Sequence, residues 1–232
     1  MDGEAAVMAL VTSCNIATGG HAGDDATMAA ALRAARDHGV AAGAHPAFPD
    51  RDAFGRRDLN LPLDTLRQSL ADQLGTLTRH AETEGVKLTH LKPHGALYHR
   101  ASADLAHAEI LAALARAHGL RLVGPPGGAM GEAARIAGLT YVPEGFADRA
   151  YDSAGRLVPR GAPGALIEAP EAATRQAVDL AARGKVRTLT GETVALEIAT
   201  LCLHGDTPNA LGRAKAVRAG LEAAGLTLGA LL

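Results

Sequence analysis

Lys92, Pro93 and His94 put an ammonium and an imidazole at positions i and i+2, on one side of an extended chain. The intervening proline stiffens the link between them. Such a pair suits a reaction at a carbonyl, in which a cation steadies a developing oxyanion and an imidazole takes a proton from water. Four other segments carry groups of the same kind: Asn15 and His21 in Asn-Ile-Ala-Thr-Gly-Gly-His; His45 in Gly-Ala-His-Pro; Glu144, Asp148 and Arg149; and His204 with Asp206. Each has a plainer reading. A lone histidine at a strand end is more often a satisfied structural residue, Lys92 could be a surface residue beside a turn, and Asp148–Arg149 a structural ion pair. Asp206 could cap a helix while His204 packs. The plain readings must all hold together, whereas a single catalytic site explains all five segments at once.

The elements that must position these groups alternate. Strands are expected near Val11–Ala17, Val40–Ala44, Leu88–Leu91, Leu120–Val123, Thr140–Val142 and Thr200–Leu203. Helices are expected at about Asp24–His38, Leu63–Glu84, Ala103–His118, Gly128–Ala137, Pro170–Arg183 and Asn209–Ala224, with a hairpin in Thr188–Glu197 around Gly191. This alternation predicts a parallel sheet with helical crossovers, in a barrel or an open doubly wound form, over a single domain spanning 1–232. Each of the five polar segments falls at or after a strand, where parallel α/β folds build their sites. Phe146–Gly164 reads as a functional loop. The opening Asp2–Ala9 reads as a helical fragment with no strand before it, one strand short of a closed barrel.

Composition narrows the function classes. The formal net charge of −2 offers no basic surface for nucleic acid. No apolar run reaches the roughly 20 residues needed to span a bilayer. Cys14 and Cys202, two and far apart, argue against a disulfide framework and for a reducing, cytoplasmic setting; both read as small core residues. No Gly-x-Gly-x-x-Gly or Walker-type phosphate loop follows any strand. His38, His80, His107 and His118 fall in or at the ends of helices and read as solvated; His90, within a strand, reads as buried.

The same segments carry a resemblance. Val-Thr-Ser-Cys-Asn-Ile-Ala (11–17), His-Ala-Gly-Asp (21–24), Gly-Ala-His-Pro (43–46), Lys-Pro-His-Gly-Ala-Leu-Tyr (92–98), Phe-Ala-Asp-Arg (146–149), Leu-Val-Pro-Arg (157–160) and Leu-His-Gly-Asp (203–206) together resemble the LamB/YcsF family, in order, from about residue 3 to 224. The resemblance implies a TIM-like parallel β/α barrel of the seven-stranded type related to the glycoside hydrolase/deacetylase superfamily. It also implies the A subunit of an ATP-dependent 5-oxoprolinase, a hydrolase of a cyclic amide that works with B and C subunits to convert 5-oxoproline to glutamate. Two departures stand out. The family's opening strand, of the form Asp-Leu-Asn-x-Asp-x-Gly-Glu, is absent, and Thr18-Gly19-Gly20 stands where Cys-Gly-Phe is usual, removing an aromatic wall near the site.

On this reading ATP is a co-substrate of the complex, and partner subunits phosphorylate the lactam oxygen. Lys92, His94, His45 and Asp148 are the expected catalytic residues: Lys92 for the oxyanion or phosphate, His94 or His45 as general base, Asp148 to orient them. Asn15, His21, Glu144, Arg149, His204 and Asp206 are expected to bind substrate, Arg149 meeting its carboxylate. His21, His45 and a carboxylate are suitable metal-ligand types, yet no compact ligand motif is present, so a divalent metal stays open. The alternatives are a metal-dependent deacetylase and a non-catalytic scaffold subunit.

Overall fold

The computed structural model describes residues 6–230, which form two compact units: Thr12–Val142, and Pro143–Gly229 with residues 6–11. Of the expected Asp2–Ala9 fragment, 6–8 are helical and 2–5 lie outside the described residues.

In the Thr12–Val142 unit, strands and helices alternate: β1 (Ser13–Ala17), α1 (Asp25–Asp37), β2 (Ala41–His45), α2 (Leu63–Thr83), β3 (Leu88–Leu91), α3 (Gly95–Ala103), α4 (Leu105–Ala117), β4 (Arg121–Gly124) and α5 (Gly128–Ile136). The strands lie in the order β1-β2-β3-β4, all parallel, with Cys14 opposite Ala42, Ala44 opposite Leu91 and Leu91 opposite Leu122. Short side chains on β2 (Ala41, Ala42, Gly43, Ala44) suit a strand buried on both faces.

Each helix forms for local reasons. Asp24 caps α1 by accepting the Thr27 N–H at 2.8 Å, while Thr27 Oγ1 accepts the Asp24 N–H at 2.8 Å, a reciprocal capping box. On α2, Leu66, Leu70, Leu74, Leu77 and Ala81 recur at helical spacing and are buried together. Burying each such leucine is worth about 1.5–3 kcal/mol. Helix α3, directly after Lys-Pro-His, was not expected. It buries Leu97, Tyr98 and Ala101, and this apolar face outweighs the breakers Pro93 and Gly95 at its start.

The second unit holds β5 (Tyr141–Phe146, which begins in the first unit), α6 (Pro170–Arg183), β6 (Lys185–Arg187), β7 (Thr193–Ala195), β8 (Thr200–Cys202) and α7 (Ala210–Ala223). β5 and β8 are parallel, with Glu144 opposite Thr200 and Phe146 opposite Cys202. The hairpin starts earlier than expected, β6 pairing antiparallel to β7 with Gly191 in the turn. Pro170 opens α6 and Gly184 ends it in the left-handed conformation. The long segment after β5 is held in place. Isolated bridges join Arg149 to Leu166 and Tyr151 to Leu157, around a small core of Ala150, Val158 and Ala165.

Candidate active site and family

The first unit gathers His21, His45 and His94 into ring contact. The ladder between β2 and β3 continues past the strand ends, with Lys92 N–H donating to Ala44 O at 2.9 Å and His94 N–H to Pro46 O at 2.8 Å. That continuation brings His45 and His94 together, and His94 Nδ1 lies 3.0 Å from His45 Nε2. Their outer nitrogens meet carbonyls: His45 Nδ1 lies 2.7 Å from Lys92 O, and His94 Nε2 lies 3.0 Å from Phe54 O. A carbonyl only accepts, so each outer nitrogen carries a proton. Two neutral rings then turn lone pairs toward each other, and the contact between them is completed by one further proton. Burial opposes that proton first, then the charges of His94, Lys92 and His21, and His45 is held well below the usual imidazole range.

His21 lies flat on His94, with ring centroids 3.7 Å apart and planes 5° apart. Burial, and behind it His94, Arg56 and Arg51, lowers His21 to about 3, so it is neutral at physiological pH. The loop carrying the Phe54 carbonyl is closed by Asp50, which accepts from the Arg57 guanidinium and from the Ala53 N–H. Gly55 and Gly95 make the close approach possible. Both have positive φ; a Cβ at Gly55 would stand 2.8 Å from His21 Cβ, and one at Gly95 would stand 2.5 Å from Gly55 O.

His90, read as buried, is buried, with Nε2 at 3.1 Å from Asn15 Oδ1. Lys92 is buried too, and its charge bears on both His90 and His45. Sequence reasoning passed over Gln73, in the middle of α2. Its amide accepts from Thr18 Oγ1 at 3.0 Å and the Ala47 N–H at 3.1 Å, and donates to Ala47 O at 2.9 Å. A Cβ at Gly20 would stand 2.5 Å from Gln73 Oε1, so this glutamine fills the space beside the Thr-Gly-Gly segment. An open groove of about 710 Å³ borders Gly19, Asp64, Asp72 and Gln73, and holds none of the expected site residues. His107, expected to be solvated, is buried and lies 3.0 Å from Asp104.

The second unit holds the other five expected residues. Asp148 accepts the His204 backbone N–H at 3.0 Å, and its Oδ1 lies 2.9 Å from His204 Nδ1. Arg213, buried on α7 and unmarked in the sequence, brings Nε to 4.0 Å from the same carboxylate. Burial pushes Asp148 up, but the bonds and charge of His204 and the charge of Arg213 outweigh it, and the carboxyl is held below its ordinary value. Arg149 does not pair with Asp148; its Nη2 donates to Val158 O at 2.7 Å. Burial and the neighbouring Arg160 both lower it. Glu144 is buried on β5, and Asp206 is exposed, 4.0 Å from Arg160. The cap of α7 is Asn209 rather than Asp206. Gln176 on α6 donates to Phe146 O and Arg149 O, each at 2.7 Å, and the Tyr151 hydroxyl accepts the Phe146 N–H at 2.7 Å; these two residues fix the chain that carries Asp148.

Among the described residues no group of three or more His, Cys, Asp or Glu side chains is placed to hold an ion, and His45 and His94 turn their nitrogens toward carbonyls and each other. Burial pushes the Cys14 thiol up to about 12, which disfavours the thiolate a nucleophile would need. No helix among the described residues is long and apolar enough to cross a membrane.

Comparison with known proteins identifies the family. The A subunit of 5-oxoprolinase from Methylococcus capsulatus is 47% identical over 227 residues, covering 97% of this chain and 87% of the relative. Its counterpart from Symbiobacterium thermophilum is 45% identical over 229 residues, covering 97% and 87%. The crystal structure of a lactam utilization protein from Thermus thermophilus matches with a TM-score of 0.90 at 43% identity, covering 97% of this chain and 91% of that one. The fold class is the parallel α/β, TIM-like one expected from the sequence. The LamB/YcsF family model matches residues 1–232, and the chain belongs to that family.

Proposed function

We propose that this chain is the A subunit of an ATP-dependent 5-oxoprolinase, which hydrolyses the cyclic amide of 5-oxoproline to give glutamate with B and C partner subunits. The observation that carries the reading is the extent of the likeness: relatives named as the A subunit of 5-oxoprolinase match 97% of the chain at 45–47% identity. The lactam utilization protein supports the same substrate class.

A γ-lactam is stabilised by amide resonance and resists water. Phosphorylation of its oxygen by ATP, assigned here to the partner subunits, makes the ring carbon electrophilic. In this reading Lys92 places a cation for the phosphate or the developing oxyanion, and the His45–His94 pair fixes the chain on either side of it. Arg149 is the group for the substrate carboxylate.

The test is glutamate release from 5-oxoproline and ATP by this chain mixed with B and C subunits. Lys92→Ala and His94→Ala are each expected to lose activity while the chain stays folded. Full activity in both variants would falsify the assignment, and release of acetate from N-acetylated sugars without ATP or partners would replace the function.

A further inference from the structure

We propose that His204 is the catalytic base of the reaction assigned above, with Asp148 as its positioning residue. The inference rests on the ring-opening reading and names the proton acceptor within it.

The geometry begins in the backbone. Phe146 on β5 stands opposite Cys202 on β8, so Asp148 and His204 each lie two residues beyond a paired position. Side chains two residues apart along extended chain share a face, and the two meet there. The His204 N–H to Asp148 Oδ2 bond, 3.0 Å, already ties the two segments. The second bond, from His204 Nδ1 to Asp148 Oδ1 at 2.9 Å, sets the ring. An ionised carboxylate only accepts, so Nδ1 carries the proton and Nε2 of the neutral ring is a lone pair.

Three further contacts hold this arrangement. The Phe146 ring lies 5.8 Å from the imidazole at 27° and supports its plane. Arg213 stands behind the carboxylate at 4.0 Å, its guanidinium also donating to Glu168 O, Pro208 O and Thr207 Oγ1. The His204 side chain is 21% exposed, whereas Asp148 is 4% exposed, and Nε2 has no hydrogen-bond partner among the described residues. His45 and His94 differ, because every ring nitrogen of that pair faces a protein atom.

The step balances. Water oxygen bonds to the activated ring carbon as its proton passes to Nε2. The C–N bond then breaks as the new hydroxyl becomes the carbonyl of an acyl phosphate; Nε2–H returns its proton to the departing nitrogen, and the hydroxyl proton passes to the amine as it forms the ammonium. The phosphorylated oxygen leaves as phosphate when the acyl group is hydrolysed by a second water. The charged groups around His204 are Asp148 and Arg213, with Asp206 and its neighbour Arg160 two residues along the chain.

The test uses the assembled A, B and C subunits with 5-oxoproline and ATP. His204→Gln is expected to lower kcat at least about 100-fold with little change in KM, and to abolish the acidic limb of the kcat/KM profile. Added imidazole is expected to restore part of the activity of His204→Ala. Asp148→Asn presents an amide N–H to Nδ1, moves the ring proton to Nε2, and is expected to cost roughly 10²–10⁴ in kcat. Nitrogen-15 NMR of the full-length chain supplies a readout independent of turnover: an Nδ1–H tautomer for His204 in the parent protein, reversed in Asp148→Asn. Active parent assembly with an equally active His204→Gln, or an Nε2–H tautomer in the parent, overturns the base assignment. A parent assembly that releases no glutamate overturns the ring-opening reading instead.

Discussion

The two units treat histidine in opposite ways. In the first, the rings of His21, His45 and His94 face one another, His45 and His94 also meet backbone carbonyls, and burial keeps His21 and His45 neutral. In the second, one histidine is held at Nδ1 by a buried, ionised carboxylate and, among the described residues, keeps its other nitrogen open. Rings packed on one another serve as a floor; a ring held at one end keeps chemistry at the other. Residue type alone separates neither case. What separates them is which partner the second nitrogen has.

Acidification gives the largest expected effect and treats the two units differently. The folded values of His21, about 3, and His90, about 4, lie below the ordinary imidazole value of 6.5, and His45 lies well below it too. The unfolded chain therefore binds more protons than the folded one between about pH 6.5 and those values, and stability falls as pH drops through that window. At pH 5 His21 and His90 are each expected to cost on the order of 2 kcal/mol, with His45 adding in the same direction. Asp148 has the opposite sense: its folded value lies below 3.8, so its contribution holds above that value and is lost only in stronger acid. Hydrogen exchange at pH 7 and pH 5, corrected for intrinsic rates, is expected to show the amides of Lys92 and His94 loosening while that of His204 stays protected. Equal loosening in both units would erase the contrast.

Asp148→Ala comes next. It strips the carboxylate from buried Arg213 and from His204, and about 3–5 kcal/mol of stability should go with it, read from urea midpoints at constant m. His94→Phe keeps a ring over His21 but leaves the Phe54 carbonyl and His45 Nε2 without their partner, at about 1–3 kcal/mol. Phe146→Leu should be smallest, about 0.5–1.5 kcal/mol for the lost ring contact with His204, seen as a several-fold drop in rate. A loss as large as that of Asp148→Ala would mean that packing, rather than the carboxylate, sets the imidazole.

Much of this was legible because parallel strands announce themselves. Alternating apolar runs and amphipathic stretches located the strands, and the rule that sites follow strands picked out His45, Lys92, His94, Asp148 and His204. The division of labour among them was not legible, since it depends on which nitrogen meets which oxygen across segments far apart in sequence. Gln73 and Arg213 escaped for a related reason. A polar residue in an amphipathic helix reads as solvent-facing, and here burial is tolerated because each finds several hydrogen-bond partners. His107 was misread the same way. The Phe54 carbonyl left no trace at all, because a backbone acceptor has no residue type.

The contact between Gly43 and His90 bears on how such a sequence can change. A Cβ at position 43 would fall 2.2 Å from His90 Nε2, the atom that meets Asn15. Three adjacent strands therefore share one mutational lock. A lineage drifting from this sequence must shorten position 90 before position 43 can gain even a methyl group, and Asn15 is then released to vary. The opposite order passes through a strained intermediate, so the route between two equally acceptable sequences, in either direction, runs through the one intermediate that pairs Gly43 with a short residue at 90.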